Sequence, residues 1–238
     1  MTEPTMTEAL HTRRFPGETD EYRSARDELL QAEMELRRNS EAVNAQRREL
    51  PLGGEVPSDY AFAELAADGE GTQDVRLPEL FEDGKDTLFL YSFMFLPGEN
   101  DPLERPCPAC SSIIDSLDGE APHVTQQINL AVSAKAPIEQ FGEVARSRGW
   151  RHIRLLSSAE SSYNHDYNAE RPEGGQLPIA NVFVRRDGRI HHFWSSELMF
   201  APTEPGLHPR HVDLIWPVWN VLDTTPGGRG DFDPKLDY

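Results

Sequence analysis

Leu-Phe-Leu-Tyr-Ser-Phe-Met-Phe-Leu, residues 88–96, is the longest apolar run of this chain. A continuous apolar run bounded by turn residues predicts a strand that is buried on both faces of a sheet. A loop follows and ends in Arg-Pro-Cys-Pro-Ala-Cys, residues 105–110. Residues 111–117, Ser-Ser-Ile-Ile-Asp-Ser-Leu, then have the pattern of a helix. Strand, loop, Cys-x-x-Cys and helix is the arrangement that a dithiol redox centre needs.

The chain has only two cysteines, Cys107 and Cys110, and their spacing suggests different roles. At the start of a helix, unpaired backbone N–H groups and the helix dipole favour a thiolate on Cys107. Arg105 adds a positive charge, which Glu104 partly offsets, and Pro108 suits the first helical position. Cys110 lies one turn further on, where it can attack a mixed disulfide on Cys107 and release a reduced substrate.

The composition excludes several classes of partner. The 238 residues include 41 acidic and 23 basic ones, for a formal net charge of −18. This balance disfavours nucleic acid and anionic membrane surfaces, both of which bind through Lys and Arg. The apolar runs are too short to span a membrane, and the first residues lack a secretory signal. We therefore predict a cytoplasmic protein with reduced cysteines. No glycine-rich phosphate loop is present, and no cofactor is expected.

A long helix is predicted near the N-terminus. Thr19 can cap it, with acidic residues in the first turn, and Pro51 ends it. Its apolar residues recur at intervals of three and four and form a narrow stripe: Tyr22, Ala25, Leu29, Ala32, Leu36, Val43 and Leu50. Such a stripe must pack on its own domain or on a second subunit, so a homodimer through residues 20–50 is one expectation. We expect a tail and helix over 1–50, a domain over 51–222 and an irregular tail over 223–238.

The rest of the chain alternates between strand and helix patterns. Residues 51–72 are predicted to be irregular, with Tyr60 and Phe62 as anchors. The elements predicted after the cysteine helix are a strand at 126–133, a helix at 137–148, a strand at 152–156, a polar stretch at 157–176, a hairpin at 179–194 and a helix at 211–222 that Pro217 kinks or splits. This order predicts an α/β fold with a mixed sheet.

The order of motifs resembles the thioredoxin fold, and more narrowly a family of uncharacterised bacterial thioredoxin-like proteins catalogued as a domain of unknown function. The motifs that carry the resemblance over residues 20–230 are Arg-Arg-x-Leu-Pro (47–51), Phe-Met-Phe (93–95), Cys-Pro-x-Cys-Ser (107–111), Gly-Trp (149–150), Asn-His-Asp-Tyr (164–167) and the strand 182–185 with Asp-Gly after it. The chain departs from the family at 223–229, where Asp-Thr-Thr-Pro-Gly-Gly-Arg replaces the usual Leu-Thr-Pro-Leu-Gly-Arg.

The resemblance implies a thioredoxin-like mixed sheet flanked by helices, with a long N-terminal helix in front. It also implies a thiol–disulfide oxidoreductase that acts on a protein or small-molecule thiol or disulfide. In thioredoxin-like folds a cis-proline opposes the dithiol and offers its backbone to the substrate. Pro178, just ahead of a strand, is the candidate for that position, and Arg105 and Pro108 are the other candidate substrate contacts.

Two alternative functions stay open. The first alternative is a peroxiredoxin-like peroxidase. Peroxidases of this fold have a pattern similar to Pro-x-x-x-Thr-x-x-Cys. Neither cysteine here has a threonine three residues before it, which argues against peroxiredoxin-like chemistry. A copper- or zinc-binding module would use both cysteines and a distant histidine. The candidate third ligands are His165, His191, His192, His208 and His211. Two cysteines alone do not complete a structural zinc site.

Overall fold

The computed structural model describes residues 10–57, 60–66, 71–97, 101, 103, 105–205 and 207–236 of the chain. The chain divides into two compact units, Met1–Pro51 and Leu52–Tyr238. The division into 1–50, 51–222 and 223–238 stays a prediction.

The first unit is built around one long helix, α1 (Asp20–Arg48). Thr19 is its N-cap, because its hydroxyl oxygen accepts a hydrogen bond of 3.1 Å from the backbone N–H of Tyr22. Acidic residues occupy the first turn and arginines the last, which complements the helix dipole at both ends. The predicted long N-terminal helix is therefore confirmed, and it ends two residues before Leu50.

The second unit alternates strands and helices. Its elements in chain order are β1 (Ala61–Leu65), β2 (Thr72–Arg76), β3 (Thr87–Phe93), β4 (Phe95–Leu96), β5 (Arg105–Pro106), α2 (Pro108–Val124), β6 (Asn129–Ala134), α3 (Ile138–Arg148), β7 (Arg154–Ser157), α4 (Tyr163–Asp166), β8 (Ala180–Arg186), β9 (Arg189–Ser195) and α5 (Pro217–Leu222). Short 3₁₀ turns lie at Leu77–Leu80, Glu197–Met199 and Asp213–Ile215.

Seven of these strands form one mixed sheet in the order β2-β1-β7-β6-β3-β8-β9. The strand β3 lies inside it, parallel to β6 on one side and antiparallel to β8 on the other. The parallel neighbours β3, β6 and β7 are connected through α2 and α3, since parallel strands need a crossover. The later strands β8 and β9 form an antiparallel hairpin. This is the thioredoxin-like mixed sheet flanked by helices that the sequence predicts.

Side chains of β3 enter two different hydrophobic clusters, one on each face of the sheet. Tyr91 and Phe93 belong to the cluster that also contains both cysteines. Leu88 and Leu90 belong to the opposite cluster. Because successive side chains of a strand point to opposite faces, a strand buried on both sides is expected to be apolar on both faces, as β3 is apart from Thr87 and Ser92. The prediction of a doubly buried strand at 88–96 is confirmed, with β3 ending at Phe93.

The hairpin between β8 and β9 turns at Asp187 and Gly188. Both residues have positive φ angles, 52° and 77°. Two adjacent residues with positive φ are what a two-residue type I′ turn requires, and Asp-Gly is one of the pairs that tolerate it best. The predicted hairpin is confirmed.

The prediction that residues 51–72 are irregular was wrong in its second half. β1 (Ala61–Leu65) pairs antiparallel with β2 and with β7. Alanine and glutamate are poor strand residues, so the local pattern is weak, and the pairing partners come from elsewhere in the chain. Tyr60 and Phe62, the predicted anchors, are buried.

The C-terminal helix predicted over 211–222 is split, which is one of the two effects predicted for Pro217. A 3₁₀ turn covers Asp213–Ile215, and α5 begins at Pro217. Proline has no N–H to donate and is tolerated in the first turn of a helix, so Pro217 starts a new helix instead of continuing the old one.

Candidate active site

A small β ribbon places Cys107 at the start of α2. After β3, the strand β4 pairs antiparallel with β5, which ends directly before Cys107. The backbone N–H of Cys107 donates to the Met94 carbonyl at 3.0 Å. Cys107 is the N-cap of α2 and Pro108 occupies the first turn, as the sequence predicts. The first cysteine is therefore held between the end of the central strand and the positive end of a helix.

The environment of Cys107 favours its thiolate. The thiol of Cys110 has the largest effect on the pKa of Cys107, which is lowered from 9.0 to about 7. Cys107 forms no standard capping hydrogen bond, but the backbone N–H groups of Cys110 and Ala109 also lower its pKa. Burial and the negative charge of Asp233 act in the opposite direction. Near neutral pH, Cys107 can therefore act as a nucleophile.

Cys110 is in the opposite electrostatic situation. Only 1% of its surface is exposed. Burial raises its pKa well above the usual 9.0, and the adjoining Cys107 raises it further. The Tyr91 hydroxyl and the Met94 backbone N–H hydrogen-bond to Cys110 and counteract part of this increase. Both cysteines are free thiols. The pair therefore combines a thiol whose pKa is lowered, Cys107, with one whose pKa is raised, Cys110.

Tyr91 is the site residue that sequence reasoning missed. It lies in β3, is fully buried, and its hydroxyl donates a hydrogen bond of 3.3 Å to Cys110 Sγ. Burial raises the pKa of Tyr91 well above 10.0, and the neighbouring Cys110 adds to the increase. A phenol in an otherwise apolar strand signals that a hydrogen-bond partner exists, because buried tyrosine hydroxyls usually find one. The identity of that partner depends on the packing of α2 against the sheet.

The C-terminal segment packs against the dithiol region. Val212, Trp216 and Trp219 belong to the same hydrophobic cluster as both cysteines. The indole N–H of Trp216 donates to the Ser112 hydroxyl, in the first turns of α2, at 3.1 Å. Cys107, which belongs to this cluster, is only 5% exposed.

The expectation of a cis-proline at Pro178 was wrong. Among the residues that the structure describes, no peptide bond is cis. Most X–Pro bonds are trans, and a cis bond leaves no local mark in the sequence. The carbonyl of Pro178 accepts a hydrogen bond of 3.0 Å from Nε2 of His211, in the C-terminal segment.

The other predicted substrate contacts are placed as follows. Arg105 is exposed on β5, and Pro108 is half-buried next to Cys107. Glu104, the residue expected to offset Arg105, lies outside the described residues. The roles of Arg105, Pro108 and Pro178 toward a substrate stay predictions.

Among the histidines considered as metal ligands, His208 and His211 lie next to each other, with ring centroids 6.3 Å apart. Within the described ranges, no three His, Cys, Asp or Glu side chains come together in a way that could hold a metal ion. Each candidate has a local neighbour instead: His165 contacts Asp166, His191 contacts the Gly53 carbonyl, His192 contacts Asn181, His208 packs on Trp219 and His211 contacts Pro178.

A family model described as "Bacterial protein of unknown function (DUF899)" matches residues 12–237. The chain belongs to this family. The sequence-based resemblance to a bacterial family of unknown function is thereby confirmed. No curated protein matches the chain.

Several solved structures are similar to the chain. A mutant of Peroxiredoxin Q from Xanthomonas campestris has a TM-score of 0.45 and 10% identity, over 73% of this chain and 97% of that one. Peroxidoxin BcpB from Mycobacterium tuberculosis has a TM-score of 0.43 and 14% identity, over 71% and 95%. Thioredoxin peroxidase I from Plasmodium yoelii has a TM-score of 0.40 and 22% identity, over 77% and 97%.

No helix in the described part of the chain combines the length and the apolar character needed to cross a membrane.

Proposed function

We propose that this protein is a thiol–disulfide oxidoreductase whose dithiol consists of Cys107 and Cys110. The observation that supports this most strongly is that the pKa values of the two thiols are shifted in opposite directions. The pKa of Cys107 is lowered to about 7, chiefly by the thiol of Cys110, and burial raises that of Cys110. A nucleophilic thiol beside a protonated one is the arrangement in which the first attacks and the second resolves.

The reaction begins at Cys107. Its thiolate attacks one sulfur of a substrate disulfide, forming a mixed disulfide with that half and releasing the other half as a thiolate, which takes a proton from water. Cys110 then attacks Sγ of Cys107, loses its proton, and expels the remaining half of the substrate. The substrate disulfide is reduced to two thiols by two electrons, and Cys107 and Cys110 become a disulfide. A dithiol or thiol reductant reverses these steps.

Substrate contacts are proposed around Cys107. Arg105 is exposed beside it and can attract an acidic substrate, and the half-buried Pro108 offers an apolar surface next to the sulfur. Pro178 is the third proposed contact. We also retain the prediction that the protein works in the cytoplasm, where a dithiol is kept reduced between turnovers.

Thiol trapping in a series of poised redox buffers tests this function. We expect one reversible two-electron transition between the dithiol and the Cys107–Cys110 disulfide, and no such transition in Cys107→Ser. The absence of a disulfide at every potential would overturn the proposal. Stoichiometric copper or zinc on the purified protein would favour the metal-binding alternative. Peroxide consumption that is much faster than reduction of disulfides would favour the peroxidase alternative.

We further propose that α1 pairs with α1 of a second copy of the chain. Tyr22, Leu29, Leu36 and Val43 follow one another at heptad spacing and are exposed. Apolar residues in a heptad repeat form a continuous seam that two supercoiled helices bury against each other. A second copy supplies the same seam and is therefore the occupant that the spacing favours.

Solution mass at increasing concentration tests the pairing. We expect a dimer that dissociates in the double variant Leu29→Lys and Leu36→Lys. A matched control is Ser24→Lys with Gln31→Lys, which adds the same two charges at exposed helical positions outside the stripe and should leave the dimer intact. A monomer at every concentration would contradict the proposal.

A further inference from the structure

We infer that Tyr91 is a catalytic residue of the resolving step: its hydroxyl donates a hydrogen bond to Cys110 Sγ while that sulfur acquires negative charge and attacks Cys107. This inference rests on the proposed function and concerns its second step. It follows from the burial of Cys110, the contact between Tyr91 and Cys110, and the position of Tyr91 in the central strand.

The resolving step faces an electrostatic problem. Before reaction, the Cys110 thiol can donate to the Cys107 thiolate and lower its pKa. Once Cys107 is in a mixed disulfide, its sulfur is neutral and no longer needs that donor. Cys110 must now lose its own proton at a position where only 1% of its surface is exposed. A thiolate without hydrogen-bond donors is strongly disfavoured in such a place.

Tyr91 supplies a donor in the required place. Its hydroxyl lies 3.3 Å from Cys110 Sγ, and the Met94 backbone N–H is a second group that favours the charged sulfur. Pairing of β3 on both sides fixes the backbone of Tyr91, and its side chain is fully buried, so the ring is held in place before the reaction begins. Fixed donors aimed at an atom that becomes charged need no reorganisation at the moment of reaction.

Tyr91 acts as a hydrogen-bond donor and not as a base. Its phenol is fully buried, and burial keeps it protonated, with a pKa well above the usual value. The proton of Cys110 therefore leaves with the departing substrate sulfur or through water, and Tyr91 keeps its own. In the resolving step, a bond forms between Cys110 Sγ and Cys107 Sγ. The bond between Cys107 Sγ and the substrate sulfur breaks, and the substrate leaves as a thiol with the two electrons of that bond.

Stopped-flow reaction with the aromatic disulfide DTNB separates the two steps. Attack by Cys107 releases one thionitrobenzoate and leaves a second bound as a mixed disulfide. Attack by Cys110 releases the second in a slower, unimolecular phase. In Tyr91→Phe we expect the first phase to keep its rate and the second to slow about tenfold, which corresponds to about 1.4 kcal/mol.

Tyr163→Phe is the matched control. Tyr163 is as deeply buried as Tyr91, but its hydroxyl accepts from Asn181 rather than contacting Cys110. Losing this hydroxyl should leave both phases unchanged. A unimolecular rate does not depend on protein concentration, so a preparation of Tyr91→Phe that is only partly folded still reports the second phase.

The outcomes distinguish a failure of the proposed dithiol function from a failure of the proposed role of Tyr91. If the wild-type protein releases only one thionitrobenzoate, the proposed dithiol function fails. If it releases two and Tyr91→Phe resolves at the wild-type rate, the dithiol function stands and the role of Tyr91 is refuted. An equal slowing in Tyr163→Phe would also refute it, because the effect would then be one of general packing. A pH profile of the second phase should shift to higher pH in Tyr91→Phe alone.

Discussion

Replacing Cys110 with alanine should weaken Cys107 as a nucleophile as well as remove the resolving thiol. The Cys110 thiol is the largest influence that lowers the pKa of Cys107 from 9.0 to about 7. In the variant, the burial of Cys107 still raises the pKa, and it opposes the smaller individual effects of the backbone N–H groups at positions 110 and 109, which still lower it. We therefore expect the pKa of Cys107 in Cys110→Ala to return to about 9.

The size of the effect on reactivity follows from two opposing factors. With a pKa of about 7, about half of Cys107 is thiolate at neutral pH, and with a pKa of about 9 only about one hundredth is. The thiolate fraction thus falls roughly fiftyfold. A more basic thiolate is also a better nucleophile, with a Brønsted coefficient of about 0.4–0.5, which recovers roughly six- to tenfold. The net expectation at neutral pH is alkylation that is about five- to eightfold slower.

The assay is the rate of iodoacetamide alkylation of Cys107 as a function of pH, followed by mass spectrometry. In the wild-type protein the rate should rise with a midpoint near pH 7, and in Cys110→Ala with a midpoint near pH 9. The two profiles should cross, because the more basic Cys107 thiolate of the variant reacts faster once Cys107 is fully ionised in both proteins. Cys110→Ser keeps a hydroxyl donor and should lie between them. An unchanged midpoint in Cys110→Ala would refute this explanation and leave the backbone N–H groups of α2 as the cause.

Two further predictions concern stability and can be checked by urea unfolding. A Cβ on Gly53 would lie 2.7 Å from the His192 carbonyl oxygen, so Gly53→Ala should cost about 1–3 kcal/mol, whereas Gly54→Ala, with no atom within 4 Å, should be nearly neutral. Equal effects of the two would contradict the steric explanation. Asp118 Oδ1 accepts the backbone N–H groups of residues 151–153. Asp118→Ala should therefore cost about 2–4 kcal/mol, while Asp118→Asn, which keeps an oxygen, should cost much less; similar losses in both would show that charge matters more than the acceptor.

Local pattern was sufficient for the central strand and the cysteine helix. A strand buried on both faces is apolar at nearly every position, and this pattern is visible in residues 88–96, where Ser92 is the exception, without any knowledge of the neighbours. The Asp187-Gly188 turn is equally local, because positive φ angles restrict the residue types. The strand at Ala61–Leu65 was missed because its stability comes from pairing with β2 and β7 rather than from its own residues.

The same distinction applies to the candidate site. Spacing alone predicts which cysteine begins the helix and which lies one turn further on. Spacing does not reveal that the Tyr91 hydroxyl reaches Cys110, or that the carbonyl of Pro178 is engaged by His211. The resemblance to thioredoxin-like folds also implied a cis bond at Pro178, and the described residues contain none.

The sequence by itself determined the element order around the dithiol, the long N-terminal helix and the family, because these depend on periodicity, turn residues and motifs that are contiguous in the chain. Only the tertiary structure decided how acidic each thiol is and what surrounds it. A pKa depends on burial and on donors within a few ångströms, and here those donors include Tyr91, nineteen residues from Cys110 in the chain. The packing of α2 onto the central strand brings them together.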